Sequence, residues 1–261
     1  MIREYRYAGP DGAGVPALPP GVGAAVGSEY CVHLLPGAPE MARAVAATSR
    51  RIPLILLTPY FRDAELKRTI PLFRAIPENA DVTVAVNDWG TLLSLRVLFP
   101  RMTLSIGRLL SGQKRCPRIG GSSRLTPEGR AWHGQGLHAS PRGREFLERE
   151  YGVRGFHLDR LPWSEDLPPA GAGKGADLFI HEPFAIVTVS DGCPWIGGTS
   201  SAAVASCPRP CRKGAVRLRE PSLGEDLLLK GKARFVRTAE NASSHSSTPD
   251  AKKLVVYDDL P

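Results

Sequence analysis

The sequence has no apolar run long enough to cross a bilayer as a helix, which takes roughly 18 residues or more. Its apolar strips are short, as in Leu54-Ile55-Leu56-Leu57, which follows a proline and reads as a buried strand. Met1-Ile2-Arg3-Glu4-Tyr5-Arg6 lacks the apolar region of a secretory signal, so a cytoplasmic protein without a membrane span is the expectation. Aromatics make up only 7% of the chain and none are interleaved with its basic stretches, which argues against an aromatic-stacking RNA-binding module. There is no repeat with a solenoid period. The three closely spaced cysteines of radical S-adenosylmethionine enzymes are also missing.

What remains is the composition of an ordinary globular protein, 42% hydrophobic and 23% charged over 261 residues. That length suits one (β/α) barrel. Residues 8–27 are dominated by Gly, Pro, Ala and Val, and read as a flexible leader, residues 1–27, ahead of a single domain from 28 to 261. From Glu29 onward strands alternate with helices. Strands are predicted at Glu29–Leu35, Ile52–Thr58, Asp81–Val86, Met102–Ile106 and Val153–Leu158. Helices are predicted at Pro39–Arg50, Asp63–Ile76, Asp88–Phe99 and Pro141–Tyr151. This alternation predicts an α/β fold with a parallel sheet, a TIM-like barrel. Beyond Asp177–Ser190 only Gly231–Arg237 and Leu254–Tyr257 read as strands, so the barrel is expected to be incomplete or distorted in its C-terminal third.

The net charge of +8 is uneven. Between Arg101 and Arg130 seven cations face one acid, Glu128, and Arg209, Arg212, Lys213, Arg217 and Arg219 follow one another without an acid. Such stretches suit an anionic ligand or a solvated surface, and nucleic acid is the less favoured partner.

Five cysteines in a reducing compartment serve as metal ligands, catalysts or free thiols rather than disulfides. Cys207-Pro208-Arg209-Pro210-Cys211 is the sharpest motif: two thiolates separated by three residues can reach one centre, with prolines presetting the turn. Cys193 lies 14 residues upstream and can supply a third ligand. A fourth must come from Cys31 or Cys116, and the spacing suits zinc as well as an iron–sulfur centre. Three further candidates accompany them. Asp88, in Val86-Asn87-Asp88-Trp89-Gly90 at a strand end, is either a general base or the cap of the following helix. Lys114, Arg115 and Arg118, after the fourth predicted strand, suit an anionic group of a substrate. His181, in His181-Glu182-Pro183-Phe184-Ala185, suits proton transfer or ligation, against a purely structural role.

Taken in order, Gly27-Ser28-Glu29-Tyr30-Cys31, Asn87-Asp88-Trp89-Gly90, His181-Glu182-Pro183-Phe184-Ala185, Cys193 and Cys207-Pro208-Arg209-Pro210-Cys211 resemble the collagenase-like peptidase family, in its UbiV-type branch. The resemblance spans about residues 27–211. It implies a barrel fold and a [4Fe–4S] cluster on Cys31, Cys193, Cys207 and Cys211, leaving Cys116 out. It also implies a heterodimer with a UbiU-like protein, the pair hydroxylating the aromatic ring of ubiquinone precursors without molecular oxygen. Other members modify RNA bases, which keeps an RNA-directed hydroxylation as an alternative beside a zinc-stapled, non-catalytic partner protein. The Gly-rich peptidase signature is absent around Cys193-Pro194-Trp195-Ile196-Gly197-Gly198, so proteolysis is not expected.

Overall fold

A computed structural model describes residues 4–48, 52–163, 176–200, 204, 206–238 and 252–261. Seven parallel strands come first: β1 (Glu4–Tyr7), β2 (Gly23–Gly27), β3 (Leu54–Leu57), β4 (Val82–Val86), β5 (Thr103–Ile106), β6 (Val153–Asp159) and β7 (Asp177–Glu182). The chain then leaves the barrel for antiparallel structure. This comprises β8 (Phe184–Val189), the short pair β9 (Gly192–Cys193) and β10 (Thr199–Ser200), β11 (Val216–Glu220), β12 (Glu225–Lys230) and β13 (Ala233–Arg237). It returns as β14 (Lys252–Val256), which lies between β7 and β1 and closes an eight-stranded parallel barrel. Helices α1 (Ala38–Thr48), α2 (Asp63–Arg74), α3 (Trp89–Leu98), α4 (Pro127–Gly134) and α5 (Pro141–Tyr151) connect the strands from β2 to β6. Among the described residues no helix is long and apolar enough to cross a membrane.

The predicted α/β barrel is therefore present, and it is closed rather than incomplete. The C-terminal irregularity is an insertion, a four-stranded sheet ordered β11-β12-β13-β8, placed between the seventh and eighth barrel strands. The expected leader is a second correction. Residues 4–7 and 23–27 are barrel strands, whereas Glu29–Leu35 is a loop with a short 3-10 turn at Val32–Leu34. Close packing explains why β2 does not look like a strand. A Cβ on Gly23 would lie 2.4 Å from Cδ1 of Tyr5, and one on Gly27 would lie 2.3 Å from the Leu57 carbonyl oxygen, at a φ of +93°. Only glycine fits at these two ends of the strand, so its boundaries read as loop.

Alternation along each strand sorts side chains into two layers. On β3, Leu54 and Leu56 point outward into a shell with Met41, Leu72, Phe73, Leu92 and Leu95 from the helices. Ile55 and Leu57 point inward with Tyr5, Ala25, Ala85, Phe179 and Val255. The inward residues of β6 and β7 include His157, Asp159 and His181, all fully buried, so the upper barrel interior is polar.

Candidate thiol site and the polar layer beneath it

In parallel barrels of this type, functional groups gather on the loops following the strands' C-terminal ends. Cys31 lies on the loop after β2, Cys193, Cys207 and Cys211 in the insertion after β7, and Cys116 in the excursion after β5. Cys31 follows β2 on the Gly27-Ser28-Glu29-Tyr30 turn and precedes the 3-10 turn at Val32–Leu34 in an extended conformation. Cys193 ends β9, and the turn behind it is tied by the Gly198 N–H to the Cys193 carbonyl at 2.9 Å. Between Cys207 and Cys211, Arg209 adopts φ +54°, the only non-glycine residue in the left-handed region among those described. That conformation is costly and is retained where surrounding structure demands it. Here it reverses the chain between two prolines and aims the Arg209 N–H at Cys207 Sγ, 3.4 Å away.

Cys31 has Cys193 and Cys211 as electrostatic neighbours, and Cys211 has Cys193 and Cys207. Burial pushes the Cys31 thiol up to about 11, the His33 amide and Lys232 act against this, and Cys211 and Cys193 raise it further. Cys211 is likewise raised, first by burial and then by Cys193 and Cys207. Cys116 acts on neither; it opens a 3-10 turn at Pro117–Ile119, in the excursion after β5. All five cysteines are free. Among the described residues no three His, Cys, Asp or Glu side chains form a ready site for a single metal ion. The donor chemistry nonetheless fits an iron–sulfur cluster: four soft thiols, an amide N–H aimed at the Cys207 sulfur, and a fully enclosed indole N–H on Trp195 that has no hydrogen-bond partner. An orphaned buried donor two residues from Cys193 is the kind of group that a sulfide or thiolate acceptor would satisfy.

Below the thiols lies a polar layer that the sequence did not announce. Arg108, 1% exposed, sits at its centre. Its Nε and backbone N–H both donate to Glu29, one Nη donates to Asp159 Oδ1 at 2.8 Å and to the Phe184 carbonyl at 3.1 Å, and the other donates to the Tyr257 hydroxyl at 3.3 Å. Asn87 Nδ2 donates to Glu29 and to the Thr58 carbonyl. Burial disfavours the guanidinium's charge, but Glu29, Tyr257 and Asp159 outweigh it and hold Arg108 firmly protonated. Burial lifts the Asp159 carboxyl above its usual range, against the pull of Arg108 and Arg115.

A hydrogen-bond chain continues from Tyr257. Its hydroxyl lies 2.7 Å from His181 Nδ1, His181 Nε2 lies 2.8 Å from His157 Nδ1, and His157 Nε2 lies 2.9 Å from Ser105 Oγ. Because Arg108 can only donate, the Tyr257 oxygen accepts from it and passes its own proton toward His181. Both imidazoles then carry their proton on Nε2, and the chain ends where Ser105 donates to the Val84 carbonyl. Burial first, and Arg108 second, push His157 down to about 3 and His181 well below the ordinary range. Both rings are neutral.

The predicted site residues fall into different surroundings. His181 has both ring nitrogens engaged inside this chain. Asp88 caps α3: it accepts from the Thr91 N–H and hydroxyl, each at 2.6 Å, and from the Phe61 N–H at 3.1 Å. Lys114, Arg115 and Arg118 do not converge. Arg115 turns inward to Asp159 Oδ2 at 3.0 Å and to the Arg108 carbonyl at 2.7 Å. Lys114 is exposed, and exposed Arg118 lines a cleft with Trp163 and residues 222–225. Sequence reasoning missed Glu29, Arg108, His157, Asp159 and Tyr257.

Fold and site together define a closed (β/α) barrel bearing four thiols at the end where such barrels place their chemistry. Comparison with family models, with curated proteins and with solved structures gave no match.

Proposed function

We propose that this chain is an iron–sulfur protein of the UbiV type, a subunit of an oxygen-independent hydroxylase acting on the aromatic ring of a ubiquinone precursor together with a UbiU-like partner. What supports the reading is that Cys193 is an electrostatic neighbour of both Cys31 and Cys211, and Cys207 of Cys211, although the four come from three separate loops, while Cys116 lies in the excursion after β5. The cysteine order and the resemblance of the neighbouring motifs supply the rest.

A bound [4Fe–4S] cluster supplies one-electron chemistry. The chain's own residues hold and shield it. Cys31, Cys193 and Cys211 are buried, which limits water at the sulfurs, while Cys207 is partly exposed. Asp88 fixes α3 beneath the mouth, and His181 anchors β7 to β6 and β14 through His157 and Tyr257. Any acid or base for the ring chemistry must therefore come from the loops, the substrate or the partner.

Anaerobically prepared protein is expected to be brown and to hold about four irons and matching sulfide per chain. Cys31→Ala should abolish the cluster as completely as Cys207→Ala, whereas Cys116→Ala should keep it. Stoichiometric zinc without sulfide would replace this reading with the zinc-stapled one.

A further inference from the structure

The turn joining β12 to β13, Lys230-Gly231-Lys232, lies directly against the thiol site. Gly231 adopts φ +56°, and a Cβ there would stand 2.7 Å from the Tyr30 ring and 3.8 Å from Cys211 Sγ. No side chain fits, so the backbone passes flush beside the sulfur and its two lysines flank it. The turn is pinned from behind, since the Ser190 N–H and hydroxyl donate to the Lys232 carbonyl at 2.9 and 3.1 Å. Lys232 is 3% exposed, and its ammonium lies 5.2 Å from the centre of the Tyr60 ring. Lys230 is half-buried and donates to the Leu260 carbonyl.

The cations adjacent in sequence to the cysteines are occupied elsewhere or turned outward. Arg212 forms an ion pair with Asp11 at 2.8 Å, and Arg209 and Lys213 are exposed. At Cys31 and Cys211 the cations felt are residues about 20 positions beyond Cys211: Lys232 acts on Cys31, and Lys230 and Cys211 act on each other.

We infer that Lys230 and Lys232 are the counter-charges of the thiol site, and that Lys232, the more deeply buried, sets the reduction potential of the cluster held there. The inference rests on the cluster reading. A four-thiolate cluster is anionic and becomes more so when it takes up an electron. A fixed ammonium in a poorly solvated setting lowers the energy of the reduced form more than that of the oxidised form. Removing it makes the centre harder to reduce. Both lysines act through the field rather than by contact with a substrate, so they are positioning residues.

The experiment uses the full chain, reconstituted anaerobically with iron and sulfide, and follows the cluster through an equilibrium titration with dithionite. Lys232→Met should retain its iron and titrate at a more negative potential than the unaltered protein. Lys230→Met should shift in the same direction by less, Lys232→Arg should return close to the original value, and exposed Lys213→Met should not move it. An unchanged potential in both methionine variants, with iron and sulfide intact, overturns the inference, as does an arginine variant shifted as far as methionine. Should Lys232→Met lose the cluster, retention by Lys232→Arg upholds the role of charge, and loss in both overturns it. An unaltered protein that takes up no iron or sulfide overturns the cluster reading itself before any variant is compared.

Discussion

Replacing Arg108 with methionine is expected to remove most of the protein's stability, read as collapse of the urea midpoint or failure to accumulate folded protein. One guanidinium serves Glu29 and Asp159, both with side chains fully buried, and also holds the Phe184 carbonyl and the Tyr257 hydroxyl. Stripping the partner from a buried ion pair costs about 3–5 kcal/mol, because an uncompensated charge is left behind. Here two carboxylates lose it together, against a total stability of about 5–15 kcal/mol. Arg115→Met should cost much less, since Asp159 keeps Arg108 at 2.8 Å. Equal destabilisation by the two variants would show that Arg108 is not the hub.

The contrast between what could and could not be read from the sequence follows the range of the interactions. Local signals held. Leu54–Leu57 is a strand with every residue buried, Asp88 caps α3, and Pro141–Tyr151 is helical behind a Ser140 cap. Close packing hid β2, because Gly23 and Gly27 are required by Tyr5 and by the Leu57 carbonyl, and such glycines imitate a loop. Distance hid the polar layer: Arg108 meets Glu29 across 79 positions and Tyr257 across 149, with no motif linking them. His157 gave no local signal, whereas His181 stood out only through the motif around it. The cysteines stood out as candidates because thiols are few and their spacing is chemically restrictive.

Acid is expected to destabilise the protein steeply between about pH 6.5 and pH 5. His157 is held down to about 3 and His181 well below its usual range, so the native state refuses protons that the unfolded chain accepts. The stability this contributes is fully present above the unfolded value near 6.5, and is lost as pH falls toward the folded values. Each group contributes about 1.4 kcal/mol per pH unit through this window, or about 2.7 kcal/mol for the pair. Asp159 acts in the opposite sense, because burial lets its native carboxyl take up a proton early. The informative comparison is therefore with His157→Gln, whose denaturation midpoint, followed against pH, should show a slope shallower by about one proton. An unaltered slope would mean that His157 is already charged in the native state.

The barrel's seam has a consequence for what this scaffold can accommodate. β14 joins β7 to β1, pairing Leu254 with Glu4 across 250 positions, and 69 residues separate its start from the end of β7. Even if those residues were treated as a slack tether, the entropy of bringing its ends together grows only logarithmically, by about 0.6 kcal/mol per doubling of length. A tether four times the length of a common strand-to-strand connection thus adds on the order of 1 kcal/mol. The gap after the seventh strand is accordingly a permissive docking point in the chain itself. A sheet bearing two lysines and a segment bearing three thiols can be spliced in there, at a thermodynamic cost set almost wholly by their own ordering, while the closed ring of strands remains intact.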